Sequence, residues 1–249
     1  MKKFELTAES KINIFGKKLF RIKALISFGS VKEGETGGWV EKEENLNQSG
    51  NAWVFGNAEV FGNAEVFGNA EVFGNARVFG NARVFGNAEV FGNARVFGNA
   101  EVFGNAWVFG NAWVFGNAEV FGNAEVFGNA RVFGNARVFG NAEVFGNAEV
   151  FGNAWVFGNA EVFGNARVFG NAEVFGNADY ATIHGFDTQF RTTTFFRCKD
   201  KQVKVSCGCF YGTIPEFREQ VKNTRKGKIA EEYLMIADLM EKHFAEEAK

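Results

Sequence analysis

From Asn51 to Gly176 the chain is one six-residue unit, Asn-Ala-x-Val-Phe-Gly, repeated 21 times without insertion or deletion, and x is always Glu, Arg or Trp. A fixed short period of this kind is the signature of a solenoid, in which each repeat touches only its neighbours. Within the unit, Ala, x, Val and Phe alternate as a strand does. Ala and Val therefore share one face, while x and Phe share the other. Because x is usually charged, Ala and Val are expected inside and Phe outside. Gly and Asn fall between strands, and both accept φ > 0 more readily than other residues. Each unit thus reads as a four-residue strand and a bend.

Every unit has the same direction and register, so hairpins are excluded and the chain must coil, stacking parallel strands about 4.8 Å apart. Three units per turn close a triangular coil of 18 residues, and 21 units give seven coils. At that spacing the prism is roughly 34 Å long. The run Val-Phe-Gly-Asn-Ala-x resembles the hexapeptide motif of left-handed parallel β-helices, where an aliphatic residue is followed four positions later by a small one. The resemblance covers half the chain and implies the left hand, against the usual right-handed crossover. It departs at Phe, where that family more often has a small or polar residue.

The expected fold is an all-β solenoid capped at both ends: a module over 1–50, the β-helix over 51–182, and a C-terminal module over 183–249. Caps are required because open ends expose unpaired backbone and core. At the N-terminus Lys3–Thr7, Ile12–Phe15 and Leu19–Phe28 read as strands, with Trp39 and Val40 placed to cover the first coil. The run from Phe20 through Gly37-Gly38-Trp39-Val40 resembles the start of a bacterial and phage group of hexapeptide-repeat proteins named as transferases. In the tail, Thr192–Arg197 and Gln202–Phe210 read as two strands joined at Lys199-Asp200-Lys201. Pro215 opens a helix over Pro215–Asn223, and Lys228–Ala245 follows with Ile229, Tyr233, Ile236, Leu239, Met240 and Phe244 on one side. The Thr-Thr-Phe-Phe and Cys-Gly-Cys-Phe runs there are similar to a module of phage-encoded proteins.

With three units per turn, every third x shares a column. Column one is Trp53, Glu71, Glu89, Trp107, Glu125, Glu143 and Glu161, with net charge −5. Column two is Glu59, Arg77, Arg95, Trp113, Arg131, Glu149 and Arg167, at +2. Column three is Glu65, Arg83, Glu101, Glu119, Arg137, Trp155 and Glu173, at −2. Like charges stacked in column one repel, and an opposite surface would relieve them. The outward Phe residues form three apolar stripes, and their exposed area is expected to exceed what monomers usually tolerate. The expected interaction surface comprises Phe55, Phe73, Phe91, Phe109, Phe127, Phe145 and Phe163, together with Trp107, Trp113, Trp155, Arg77, Arg95, Arg131 and Arg167. The simplest partner is a second copy in an isologous dimer. An unidentified protein is the other candidate.

Enzymatic readings find little purchase. The resemblance implies acyltransferases that use a histidine base, but only His184 and His243 exist, both outside the repeats. Zinc carbonic anhydrases of that fold need three histidines. Cys198, Cys207 and Cys209 lack CxxC spacing, although Cys207 and Cys209 would share a strand face with Cys198 opposite. Small buried hydrophobes are the expected role, with no metal and no cofactor. A net charge of −2 gives no nucleic-acid footprint. The N-terminus has no apolar signal segment, and no run of about 18 apolar residues suggests a membrane span. Three cysteines fit a reducing cytoplasm. The leading expectation is a non-enzymatic structural or protein-binding scaffold that self-associates through its Phe ladders and charge-sorted faces. The alternatives are a hexapeptide-type acyltransferase relative with weak or lost activity, and a phage-encoded protein that captures a host factor.

Overall fold

The computed structural model describes residues 2–186 and 188–245. Each x–Val pair forms a two-residue strand, one per unit, from β4 (Trp53–Val54) to β24 (Glu173–Val174). Each pairs in parallel with the strand 18 residues on, Trp53 against Glu71 and Glu59 against Arg77, so three units close one turn. Three sheets result, each holding one of the expected columns. The strands are shorter than the four residues expected. In the units of column two Ala turns its N–H back to the preceding Phe carbonyl, as from Ala94 to Phe91 at 3.3 Å, and there closes the corner rather than extending the strand.

Every repeat Ala and Val is fully buried, as their alternation requires. A buried Val contributes about 1.5–3 kcal/mol, so a coil with three Val and three Ala has a thin core and stability accrues by stacking. Gly alone supplies the left-handed corner, with φ between +57° and +76° from Gly56 to Gly170. Among the described residues no Asn has positive φ, contrary to the expectation that Asn shares this task. Asn instead links coils twice. Its backbone N–H donates to a Gly carbonyl of the next coil, and its Nδ2 donates to the next Asn Oδ1, as from Asn105 to Asn123 at 3.0 Å.

The solenoid reaches back beyond the exact repeats. Strand β3 (Thr36–Val40) lies parallel to β5 (Glu59–Val60), with Val40 against Val60, and Leu46 bridges to Val66. Val40 and Leu46 thus fill the Val position of an incomplete eighth turn, offset from its neighbour by the extra pair Ser49-Gly50. Strands β1 (Phe4–Ile12) and β2 (Lys18–Ala24) extend the same sheet antiparallel. Of the expected strand Ile12–Phe15, Ile12 ends β1 and the rest is the turn between them. Asn13 Oδ1 accepts from the N–H groups of Phe15 and Lys17, an arrangement that favours a turn over a strand. The expected strand Leu19–Phe28 ends at Ala24, where Gly34 N–H donates to the Ala24 carbonyl.

At the other end lies a four-stranded antiparallel sheet, β25 (Tyr180–Phe186), β26 (Arg191–Arg197), β27 (Val203–Cys207) and β28 (Phe210–Thr213). Tyr180–Phe186 is one full strand running across the expected boundary between 182 and 183, and Gln202–Phe210, expected as one strand, is two strands broken at Gly208, whose φ is +59°. Adjacent Phe195 and Phe196 point to opposite faces of β26: Phe196 closes the solenoid core and Phe195 joins the core beneath the helices. Helix α1 (Ile214–Thr224) starts at a capping box of Thr213 and Glu216, with Pro215 in its first turn. Helix α2 (Gly227–His243) buries Tyr233, Ile236, Ala237 and Met240, with Phe244 at its cap also buried. Leu239, expected on that face, is 57% exposed.

The two caps have opposite chemistry. Backbone N–H groups of Asn, x and Phe donate to the coil on the C-terminal side, so the first coil is left with the Gly, Ala and Val carbonyls and the last with the Asn, x and Phe N–H groups. The N-terminal module answers with donors: Lys3 Nζ to Ala52 O at 2.8 Å, Asn45 Nδ2 to Ala64 O at 2.8 Å, and Lys42 Nζ to Asn63 Oδ1 at 3.1 Å. The C-terminal module answers with acceptors: Asn177 Oδ1 takes Glu161 N–H, Asp179 Oδ2 takes Phe175 N–H, and Thr194 Oγ1 takes Arg167 N–H. Burial holds the Lys3 pKa down at about 8.

Candidate interaction faces

The three columns differ in how their charges are satisfied. In column two Arg77 meets Glu59 at 3.3 Å, and Glu149 takes Arg131 at 3.7 Å and Arg167 at 3.2 Å. In column three Arg83 meets Glu101 at 3.1 Å and Arg137 meets Glu119 at 2.9 Å. Alternating sign at the strand spacing makes these pairs possible. Column one has no Arg, and among the described residues none of its five glutamates has an ion pair. Burial, and then the charge of Glu71, raises the Glu89 pKa above the usual carboxylate value; burial and Glu143 do the same to Glu125. The expected repulsion is therefore present in the fold.

The Phe ladders stack face to face. On face one, successive centroids from Phe73 through Phe91, Phe109, Phe127 and Phe145 lie 4.7–4.9 Å apart and nearly parallel, with Phe163 5.3 Å beyond. Phe55 is half-buried against the solenoid core. The bare apolar stripes expected from alternation are thereby reduced. Stacking covers the ring faces and leaves edges, so of the ladder rings only Phe163 and Phe175 are classed as exposed.

The tryptophans occupy unlike settings. Trp113 lies between Arg95 and Arg131, whose guanidinium carbons are 4.9 and 5.3 Å from its ring, an arrangement of stacked cations. Trp155 is covered by Lys199 at 3.5 Å and Arg137 at 5.4 Å. Trp107 meets Phe91 edge-on and stays 41% exposed, with Glu89 and Glu125 as its strand neighbours.

Two column positions are not surface at all. Trp53 is fully buried under Phe4 and Phe28 of the N-terminal module. Glu59 is buried beneath the β1–β2 turn, where Lys11 Nζ meets it at 2.8 Å beside Arg77, and Phe15 rests on Phe61 and Phe79. Arg77, expected on the interaction surface, is partly drawn into this cluster. Nothing in the local sequence marks Glu59, because its unit matches every other Glu unit; only its nearness to the start of the repeats could have signalled it.

The cysteines do not form one face. Cys198 is buried against the last coil, where burial, with Asp200, pushes its thiol up to about 11. Cys207 lies in the helix-side core, accepting from Thr193 Oγ1 at 3.1 Å, and Cys209 is exposed in the turn. The turn at Gly208 is what separates the last two. Among the described residues no group of His, Cys, Asp and Glu is arranged to hold a metal ion. His184 is exposed, its Nδ1 3.1 Å from Thr192 Oγ1, and His243 lies edge-on to Phe244. No helix among the described residues is long and apolar enough to cross a membrane.

Two segments, residues 76–90 and 130–144, match the family described as YdcK Beta solenoid repeat. They are the same 15 residues, three coils apart. No curated protein matches the chain.

Proposed function

We propose that this protein is a non-enzymatic scaffold that works through its outer faces and associates with further copies of itself. The observation that supports this reading is the uniformity of the rungs. From β4 to β24 each strand is joined to the next by the same corner, with no loop interrupting the 18-residue step. Reactive pockets arise where a scaffold departs from regularity and brings convergent polar groups together. Here variation is confined to x, which faces outward except at the capped positions Trp53 and Glu59, so what distinguishes one coil from another is the charge and aromaticity it displays. Face one, with its unpaired glutamates and exposed Trp107, is the surface with most to gain from a partner.

Molar mass in solution by light scattering, measured on the full chain at several salt concentrations, tests this. The expected result is a mass above that of the monomer at low salt, falling as salt screens the charged faces. A strict monomer at every salt concentration overturns the self-association.

A further inference from the structure

On the self-association just proposed rests a more specific reading, drawn from the order of letters in two adjacent columns. In coils three to five, face one presents Glu89, Trp107 and Glu125, while face two of the same coils presents Arg95, Trp113 and Arg131. The patches match in geometry as well as in sign. Each Trp sits edge-on to a Phe of its own face, Trp107 on Phe91 at 6.2 Å and Trp113 on Phe97 at 6.1 Å. Among the described residues Arg95 has no carboxylate partner, and Glu89 and Glu125 have no cationic one.

We propose that face one of one copy docks on face two of a second copy, side by side, parallel and in register, with Glu89 on Arg95, Trp107 on Trp113, and Glu125 on Arg131. The alternatives are poorer. Face one against itself, the isologous pairing, sets acid on acid. With direction reversed, the central three positions still match, but Glu71 then meets Glu149. In the parallel arrangement Glu71 meets Arg77 and Glu161 meets Arg167, and the one like-charge pair is Glu143 with Glu149. With the Trp53 and Glu59 rung covered, six rungs about 4.8 Å apart, each roughly 20 Å wide, give about 580 Å² per partner. The total of about 1,150 Å² clears the roughly 1,000 Å² expected of a biological interface. Because the mating faces differ, the contact is heterologous. Each copy keeps a free face one or face two, and assembly continues past the dimer until a ring closes about an axis parallel to the solenoid.

The test uses charge reversal on the full chain, with circular dichroism to show that each variant keeps its fold. The Glu89→Arg/Glu125→Arg variant and the Arg95→Glu/Arg131→Glu variant should each associate at least about tenfold more weakly than the parent at low salt. An equimolar mixture of the two should recover association, and so should the chain carrying all four substitutions. Recovery separates this pairing from a loss of fold or of general charge balance. Glu71→Arg reads direction: weaker association is expected for parallel copies, and stronger association overturns the parallel register. A parent chain that is monomeric at all salt concentrations defeats the self-association reading itself. A parent that associates while both double variants associate equally well leaves that reading standing and overturns this pairing.

Discussion

At the residue scale the corner glycines are the least replaceable letters of the unit. Gly110 has φ +68°, and a Cβ there would lie 3.0 Å from the Gly128 nitrogen of the next coil. The positive φ alone costs an L-residue about 1–2 kcal/mol, and the backbone it meets cannot swing aside. Gly110→Ala should lower the unfolding free energy from urea titration by at least that amount, whereas Ala at the solvent-facing x position Glu101 should leave it nearly unchanged. Val114, fully buried, admits no charge. Val114→Asp should abolish cooperative unfolding around the middle coils, read by circular dichroism on heating. Inside and outside were evident from the hexapeptide itself, because two-residue alternation and a charged x leave one solution. The division of labour at the corner was not. Gly and Asn share a tolerance for φ > 0, and only the stacked geometry shows that Asn spends its side chain on the neighbouring coil.

At the scale of the element, each column behaves as a ladder whose energetics follow from the order of its signs. Folding raises the pKa of Glu89 and Glu125, so the protonated form is favoured in the folded state. That contribution to stability is fully present below the unfolded value and is lost as pH rises through the folded one. Glu89→Gln/Glu125→Gln should therefore be more stable than the parent at pH 7, with the difference shrinking as pH falls toward 4. Denaturant titrations at three pH values would measure it. The C-terminal sheet makes the complementary point. Phe196 is fully buried as the lid of the last coil, and Phe→Ala substitutions at such sites cost about 3–5 kcal/mol. Phe196→Ala should raise amide hydrogen exchange in the rungs near Glu173 before those near Trp107. The tail was only partly readable. Its helices announced themselves through Pro215 and an amphipathic period, but β25 was hidden because it begins within the stretch assigned to the β-helix and ends beyond it. The Gly208 turn, inside a run from Gln202 to Phe210 that alternates as a strand does, gave too brief a signal to divide one strand into two. The buried Glu59 was invisible for the opposite reason: a residue identical to its fellows is set apart only by what folds over it.

For the whole molecule, repetition makes length and face assignment separable. Deleting one coil, Asn87–Gly104, removes one rung from each sheet and leaves every later x in its column. Such a chain should fold with a small loss of thermal stability, as expected when coils contribute additively. Deleting the single unit Asn87–Gly92 should also leave a folded solenoid, but it moves every later x to a neighbouring face. Because all later x move together, Trp107 and Trp113, and Glu125 and Arg131, stay on adjacent faces, so the salt-sensitive association should persist, weakened only by the lost Glu89 contact, as light scattering on the two deletions would reveal.

The opposed chemistry of the two caps has a consequence beyond closing the core. With the amide hydrogens of Asn, x and Phe aimed one way in coil after coil and lysine stationed at one terminus, aspartate at the other, the protein is a rod with a built-in arrow. Stripped of both caps, such rods could join only head to tail, and a filament grown from a seed would inherit its direction along the whole length.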